Sequence, residues 1–309
     1  MDNQSEKKRL VLAGGSGFLG QALAQYFVAK GFDVVVLSRS RLGTKNGIRF
    51  LPWDAKTLGE WTEEIDGAYA VINLTGRSVD CRYNETNKAV ILSSRLDSTH
   101  VIGEAITQCG TPPRIWMNAS SATIYRESFD TDMDEDVTDL DTHGFSENVV
   151  LQWEAAQQQY PCPFTRKVAL RIPIVMGNGG GAMGPLKMLT RFFLGGSQGS
   201  GTQYISWLHM DDFINCVDFI MEHDTLDGAI NICSPNPLPN AACMAALRRA
   251  MHRPFGLPHP RWALEIGAFI IRTETELLLK SRRVVPKRLL DAGFDFKYPN
   301  IEEAFNDLV

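Results

Sequence analysis

The sequence contains no cysteine motif, no excess of positive charge and no long hydrophobic run. Its six cysteines form no C-x-x-C pair and have no histidine at ligand spacing, so we expect reduced thiols and no metal site. The 31 lysines and arginines stand against 36 aspartates and glutamates, a balance that excludes the basic surface typical of nucleic-acid-binding proteins. The most apolar late stretch, Trp262–Ile271, contains Glu265 and is too short to span a bilayer. We therefore expect neither nucleic acid nor a membrane as a partner.

The beginning of the sequence also lacks a targeting pattern. Met1–Arg9 is polar and of mixed charge, without the apolar segment of a secretory signal, so we expect a cytoplasmic protein. Apolar residues make up 44% of the chain and charged residues 22%, which is typical of globular proteins and excludes a disordered one.

Short apolar runs alternate with helical segments along the first half of the chain. The predicted strands are Arg9–Ala13, Asp33–Leu37, Ile48–Leu51, Ala70–Leu74, Arg114–Asn118 and Val168–Ile172. The predicted helices are Phe18–Lys30, Glu85–Cys109 and Asn148–Gln159. Continuous apolar runs are typical of buried parallel strands, and their alternation with helices implies right-handed βαβ units. The pattern predicts an α/β fold, a Rossmann-type doubly wound parallel sheet with a smaller C-terminal substrate lobe.

The composition of the sequence changes after about residue 175. Glycine- and proline-rich loops and longer predicted helices begin there. The 309 residues are about twice the roughly 150 of an average domain. We therefore predict a nucleotide-binding domain over residues 1–175 and a smaller substrate-side lobe over residues 176–309. Some segments of the lobe are expected to return to the first sheet.

Many of the 26 glycines lie in two runs, residues 14–20 and residues 177–184. The first run joins the first strand to the first helix and fits two spacings, Gly15-x-Gly17-x-x-Gly20 and Gly14-x-x-Gly17-x-x-Gly20. Such a turn brings backbone N–H groups and the positive end of a helix to a pyrophosphate, so it predicts dinucleotide binding. The second run follows a late strand. It is interpreted either as a flexible lid over substrate or as a plain surface loop.

The end of the second strand indicates which dinucleotide binds. An NAD site usually has an acid there, but the chain has Ser38 and Arg39, and Asp33 precedes the strand. The planar charged fork of Arg39 suits a 2′-phosphate, which predicts NADP(H) over NAD(H) unless Arg39 is only a solvated surface residue. Asp54, after the third strand, is a candidate acceptor for the adenine amino group or a turn acid.

Several segments together resemble one family over nearly the whole chain. They are Gly14–Gly20, Asn73–Gly76, Ser94–Thr99, Gly179–Met183, Gly199–Gln203, Trp207–Asp212, Val284–Leu289 and Gly293–Phe296. They resemble the atypical extended short-chain dehydrogenase/reductases known as the epimerase family protein group. The resemblance implies a Rossmann domain, a lobe that covers the cofactor cleft, and NADP(H). The cofactor-binding residues that it implies are Gly14, Ser16, Gly17, Phe18 and Leu19 at the pyrophosphate, Ser38 and Arg39 at the 2′-phosphate, Leu74, Thr75 and Gly76 after the fourth strand, and Arg95 on the long helix.

The catalytic pair of this fold is missing. Short-chain dehydrogenases normally use Tyr-x-x-x-Lys on one helix face, where the lysine lowers the pKa of the tyrosine, together with a serine that binds the substrate oxygen. Ser120–Tyr125 resembles the serine segment, with Ser121 in the reactive place. The expected tyrosine helix has Phe145 and Val149 at the positions of the pair, and a shift by one residue is no better. We predict Ser121 as a catalytic residue and Tyr125 as a candidate proton donor, with a packed aromatic side chain as the alternative for Tyr125.

Two function hypotheses follow. In the first, the chain is an NADP(H)-binding oxidoreductase or epimerase-like protein that acts on an unknown small molecule near Ser121, with the proton coming from Tyr125, water or the substrate. In the second, it is a catalytically silent NADP(H)-binding sensor or regulatory protein. The missing pair favours the sensor, whereas the serine segment and the second lobe favour the enzyme. Monomer and homodimer both remain open.

Overall fold

The computed structural model describes residues 7–138, 140, 142–265 and 279–309. Its strands are β1 Arg9–Ala13, β2 Asp33–Ser38, β3 Gly43–Lys45, β4 Ile48–Pro52, β5 Ala70–Asn73, β6 Ile115–Ser121, β7 Arg166–Ile172, β8 Ile174–Met176, β9 Tyr204–Ile205, β10 Trp207–His209, β11 Gly228–Asn231 and β12 Leu238–Pro239. Its helices are α1 Phe18–Ala29, α2 Glu85–Gln108, α3 Phe145–Gln158, α4 Met183–Arg191, α5 Met210–Glu222, α6 Asn240–Ala250, α7 Lys287–Asp291 and α8 Ile301–Leu308.

Within these residues the main sheet has eight strands in the order β11-β7-β6-β5-β1-β2-β4-β3. All neighbours are parallel except β3 and β4. Each predicted strand is present with small differences at its ends, and the predicted Rossmann-type α/β fold is confirmed. The chain leaves β1 toward β2 on one side and later pairs β5 on the other. This reversal opens a crevice at the carboxyl ends of these strands, where open α/β sheets bind their ligands.

Part of the second half of the chain completes the first core. Strand β11 pairs with β7 at one edge of the sheet, and α5 contacts α1. Buried side chains of α5, among them Phe213 and Val217, lie in the same apolar cluster as Leu10 of β1. Helices α4, α6 and α8 pack around a separate cluster that includes Met183, Leu247 and Phe305. The second half of the chain therefore contributes α5 and β11 to the core of the main sheet and forms a second apolar cluster with α4, α6 and α8.

The two glycine runs of the sequence meet in space at the ring of Phe18. A Cβ atom on Gly180 would lie 2.6 Å from Phe18 Cδ2, and one on Gly177 would lie 3.0 Å from Phe18 Cζ. Gly181 approaches the same ring, where a Cβ would lie 3.1 Å from Phe18 Cε1. The second run therefore holds the small lobe against the start of α1, which is a packing role that neither interpretation of its sequence anticipated.

We expect Gly180→Ala to lower the free energy of unfolding by about 1–2 kcal/mol, because the added methyl group forces the Phe18 ring to move. The matched control is Gly184→Ala in the same run, where an added Cβ meets no atom within 4 Å. In helix α4 that control is expected to be neutral or stabilising by up to about 1 kcal/mol. Denaturant unfolding of both variants measures the difference, and equal stabilities would contradict the contact.

Three further findings bear on the expected partners. Among the described residues no helix is both long and apolar enough to cross a membrane, and residues 266–271 of the apolar stretch Trp262–Ile271 lie outside them. The same part of the chain contains no group of three metal-ligating side chains placed to hold an ion. All six cysteines are unpaired.

Candidate functional site

A groove with a volume of about 680 Å³ lies at the carboxyl ends of β1, β2 and β5. The predicted cofactor residues in its wall are Gly14, Ser16, Gly17, Ser38, Arg39, Leu74, Thr75 and Gly76. Phe18 and Leu19 lie behind it at the start of α1, where they pack against the core of the sheet. The structure thus brings together residues that are up to about 60 positions apart in the sequence.

The first glycine run forms a cradle of backbone atoms. Gly14 has a φ of +71°, and a Cβ there would lie 2.9 Å from the backbone nitrogen of Thr75. Gly17 is the residue before α1, and no side chain caps this helix end. The first N–H groups of a helix have no partner within the helix, so an uncapped end attracts an anion. The cradle therefore suits a pyrophosphate.

Thr75 offers a hydroxyl group in the wall of the groove. Its backbone N–H donates to Asn73 Oδ1 at 3.0 Å, and Asn73 in turn donates to Asn118 Oδ1 at 2.8 Å. The buried Oγ1 of Thr75 has no hydrogen-bond partner in the part of the chain that the structure describes. Buried polar atoms are rarely left unpaired, so this hydroxyl marks a place where a ligand oxygen fits.

The far end of the groove carries an exposed positive charge. Ser38 Oγ accepts from the backbone N–H of Ser40 at 3.3 Å and of Arg41 at 3.1 Å, and this turn sets Arg39 at the rim. No carboxylate of the described residues pairs with the Arg39 side chain. Asp54 lines the same end, but its carboxylate accepts from Lys56 and Thr57, and these bonds lower its pKa. Its contacts are those of a turn acid.

Arg95 lies behind Gly76, not in the open groove. A Cβ on Gly76 would lie 3.2 Å from Arg95 Cζ, and the guanidinium donates to the carbonyl oxygens of Arg77 and Ile91. It also stacks over the Trp153 ring at 5.0 Å. Burial lowers the pKa of Arg95 to about 10, since no carboxylate of the described residues offsets the desolvation of its charge. Arg95 therefore places a positive charge beneath the groove wall.

A second cavity of about 250 Å³ lies at the carboxyl ends of β6 and β7, against the small lobe. Ser121 lines it, and its Oγ accepts from Thr123 N at 3.2 Å and Thr123 Oγ1 at 3.0 Å. The neighbouring Ser120 points the other way and donates to Glu154 Oε1 at 2.5 Å. Successive side chains of a strand point to opposite faces of the sheet, so Ser121 of β6 faces this cavity and Ser120 does not.

The structure does not bring Tyr125 to the cavity. The short 3₁₀ turn Ala122–Ile124 redirects the chain, and Tyr125 lies fully buried in a separate apolar cluster. Its hydroxyl donates to Asn231 Oδ1 at 2.9 Å and accepts from Arg171 Nη1 at 2.7 Å. Burial raises its pKa to about 12. This placement agrees with the packed aromatic side chain considered above and gives no support to proton transfer by Tyr125.

Helix α3 contributes apolar side chains where the usual catalytic pair would stand. Phe145 begins the helix and packs edge to face against Tyr83, with ring centroids 5.1 Å apart. Val149 is buried. Neither side chain can exchange a proton, so any catalysis uses other groups.

The C-terminal segment contributes cations that the sequence analysis missed. Lys280 and Arg282 line the cavity at Ser121. Both bind Oε1 of the fully buried Glu147 on α3, Lys280 Nζ at 2.6 Å and Arg282 Nη2 at 2.7 Å. Glu147 is more than 130 residues away along the chain, so no spacing in the sequence could have revealed the cluster.

The segment 78–81 connects the two cavities. Ser78, Asp80 and Cys81 line the groove, whereas Val79 between them lines the cavity at Ser121. The two spaces are therefore neighbours across a single short, bent segment, and this adjacency would allow ligands in the two spaces to react with each other.

Comparisons with known proteins show the family and the fold of this chain. Residues 10–233 match the profile of the NAD dependent epimerase/dehydratase family, and residues 259–308 match a domain of unknown function, DUF1731. The human epimerase family protein SDR39U1 is 32% identical over 97% of this chain and 99% of its own length. The epimerase family protein SERP0438 of Staphylococcus epidermidis is 29% identical over 98% of this chain and 99% of its own. A crystal structure of human SDR39U1 (isoform2) with NADPH superposes with a TM-score of 0.86 and 31% identity, covering 97% of this chain and 98% of the other.

Proposed function

This chain belongs to the NAD dependent epimerase/dehydratase family, and on that basis we propose that it is an NADP(H)-dependent oxidoreductase or epimerase that acts on a small carbonyl or carbinol compound. The main observation in support of this proposal is that residues 78–81 line both the groove and the cavity of Ser121, so the two spaces lie side by side. Hydride transfer requires the two reacting carbons in contact, and this adjacency allows it.

NADP(H) fits the groove residue by residue. The uncapped start of α1 and the glycine cradle suit the pyrophosphate, Thr75 Oγ1 needs a partner, and Arg39 suits the 2′-phosphate at the rim. The human relative SDR39U1, similar over nearly its full length, was crystallised with NADPH. When bound, this cofactor supplies a hydride from C4 of its nicotinamide ring to a carbonyl carbon.

Ser121 holds the reacting oxygen of the substrate. Its hydroxyl can rotate from Thr123 and donate to a carbonyl oxygen in the cavity, where the developing negative charge strengthens the bond. The oxygen then takes one proton, which comes from water or from the substrate itself, since Tyr125 is buried away from the cavity. Carbonyl, NADPH and one proton thus give an alcohol and NADP⁺, and the reverse reaction returns them.

We expect Ser121→Ala to lower kcat/KM for NADPH oxidation by about 100-fold, because a donor to the reacting oxygen is lost. The assay is the decrease in NADPH absorbance with a panel of aldehydes, ketones and sugar nucleotides. Ser120→Ala is the matched control, since that hydroxyl points to Glu154, and it should keep its rate within about twofold. Unchanged turnover in Ser121→Ala would remove this serine from the reaction.

The competing function is a catalytically silent NADP(H)-binding sensor. The observation that favours it is the apolar pair Phe145 and Val149 on α3, together with the buried hydroxyl of Tyr125. A protein that binds NADPH tightly, oxidises it with no compound of the panel and, with NADP⁺ bound, epimerises none of the carbinol compounds would select the sensor over the enzyme.

A further inference from the structure

Arg282 carries hydrogen-bond donors that the protein leaves without partners. Its Nη2 binds Glu147, whereas its buried Nε and Nη1 bond to nothing among residues 7–138, 140, 142–265 and 279–309. Arg282 lines the cavity at Ser121 and keeps 12% of its side chain exposed, so a ligand in the cavity can reach this side chain. Nε and Nη1 have almost no accessible surface, so they pair with a ligand oxygen when the guanidinium turns toward the cavity. A guanidinium stays charged at all physiological pH values, and its planar fork matches the oxygens of a carboxylate or phosphate.

The rest of this cavity is small and largely apolar. Ile172, Pro173, Ile174 and Ile205 form much of its wall. Its volume of about 250 Å³ lies below the roughly 300–1,000 Å³ of pockets that enclose drug-sized ligands. The cavity is partly open, and a nucleotide sugar would extend out of it, whereas a compact molecule with an apolar body fits within it.

We infer that the substrate is a compact carbonyl or carbinol compound with an oxyanion group, a carboxylate or a phosphate, which binds at Arg282 while the reacting oxygen faces Ser121. The inference rests on the proposed function, because it names the substrate class of the same cavity. The oxyanion takes no part in the redox step. It fixes the orientation of the carbonyl group, which is the contribution that a charged anchor makes to hydride transfer.

Glu147 competes with this ligand for the same cations. Its Oε1 accepts from both Lys280 and Arg282, and its negative charge therefore weakens the attraction of a second anion. Glu147→Gln should strengthen the binding of an anionic substrate, and Arg282→Gln should weaken it. If the two residues had a purely structural role, both variants would bind the anionic substrate more weakly. Opposite changes in affinity therefore distinguish a role in binding from a role in folding.

The kinetic experiment uses the full chain with NADPH and pairs of matched aldehydes. The first pair is 4-formylbenzoate with 4-formylbenzamide, and the second is glyceraldehyde 3-phosphate with glyceraldehyde. A UDP-linked 4-keto sugar represents the nucleotide sugars. We expect kcat/KM for the anionic member of one pair to exceed that of its neutral partner by at least about tenfold. A preference in the first pair identifies a carboxylate as the bound group, and a preference in the second pair identifies a phosphate.

The variants decide whether Arg282 causes this preference. Arg282→Gln should lower kcat/KM for the preferred anion by at least about tenfold and change the neutral partner by no more than about twofold. Arg282→Lys should recover part of the loss, and Glu147→Gln should increase the preference. Arg249→Gln, which breaks an exposed ion pair with Glu302, is the control that should change neither substrate. A preference for the UDP-linked sugar, or an equal loss on both members of a pair, would overturn the inference.

A binding measurement separates this inference from the proposed function. Calorimetric titration of 4-formylbenzoate and glyceraldehyde 3-phosphate into the NADP⁺-bound protein involves no turnover. If no compound oxidises NADPH, the oxidoreductase proposal fails, but binding that is lost in Arg282→Gln and tighter in Glu147→Gln still supports the anion site. If neutral aldehydes react while neither anion binds more tightly than its neutral partner, the anion site fails and the oxidoreductase proposal stands.

Discussion

Gly20→Ala is expected to lower the free energy of unfolding by about 3 kcal/mol, the upper end of the usual cost of overpacking. A Cβ atom at this position would lie 2.4 Å from the Cα atom and 2.7 Å from the carbonyl carbon of Gly15. Both are backbone atoms of the turn between β1 and α1, so no side-chain rotation relieves the overlap. Helix α1 would have to move away from the sheet that it covers.

Denaturant unfolding of the full chain measures this effect, and Gly17→Ala is the control in the same run. A Cβ on Gly17 meets only the carbonyl oxygen of Gly14, at the ordinary distance of 3.7 Å, so its stability should fall by about 1 kcal/mol or less. The same methyl group stands at the uncapped start of α1 and should weaken NADPH binding. Equal unfolding free energies for the two variants would show that α1 is not held by the contact of Gly20.

Arg39→Ala is expected to raise the Kd for NADPH by about 10- to 100-fold and to leave the Kd for NADH nearly unchanged. The loss corresponds to one charge-assisted hydrogen-bonded pair between a guanidinium and the 2′-phosphate, which is worth about 1.5–3 kcal/mol. Arg39 is exposed at the rim of the groove, and the turn at Ser38 sets its position. Its side chain has no carboxylate partner among the described residues that would compete for the phosphate.

Fluorescence titration with both dinucleotides provides the measurement and its internal control. A general disruption of the groove would weaken NADPH and NADH alike, whereas loss of the 2′-phosphate contact weakens only NADPH. Because the interaction joins exposed charges, the NADPH preference of the wild-type protein should also decrease as ionic strength rises. If Arg39→Ala keeps its preference for NADPH, another residue recognises the 2′-phosphate.

The features predicted correctly from the sequence are those set by short stretches of chain. Strand β1, the turn at residues 14–17 and helix α1 follow one another within about 20 residues, and each has its own local signal. An apolar run predicts the buried strand, and glycines predict the tight turn. The position of Arg39 at the end of β2 also follows from strand length alone.

The features that the sequence left open or missed concern contacts between distant segments. Tyr125 follows the serine segment closely, yet one 3₁₀ turn sends its hydroxyl to Asn231 and Arg171 and away from the cavity. The second glycine run is a packing surface because it meets Phe18, about 160 residues earlier. Neither outcome depends on local propensity, so neither could be predicted from spacing.

The Rossmann-type sheet, the glycine turn before α1 and the absence of the usual tyrosine and lysine from α3 could all be predicted from the sequence. Those conclusions depend on residue types at short separations, where chain geometry leaves few alternatives. The cations that border the cavity of Ser121 could be identified only from the folded structure. Lys280 and Arg282 reach Glu147 across more than 130 residues, and such contacts depend on the packing of the whole core. The two glycine runs illustrate this difference. The role of the first run follows from the spacing of its glycines, whereas the role of the second follows from its contact with the Phe18 ring.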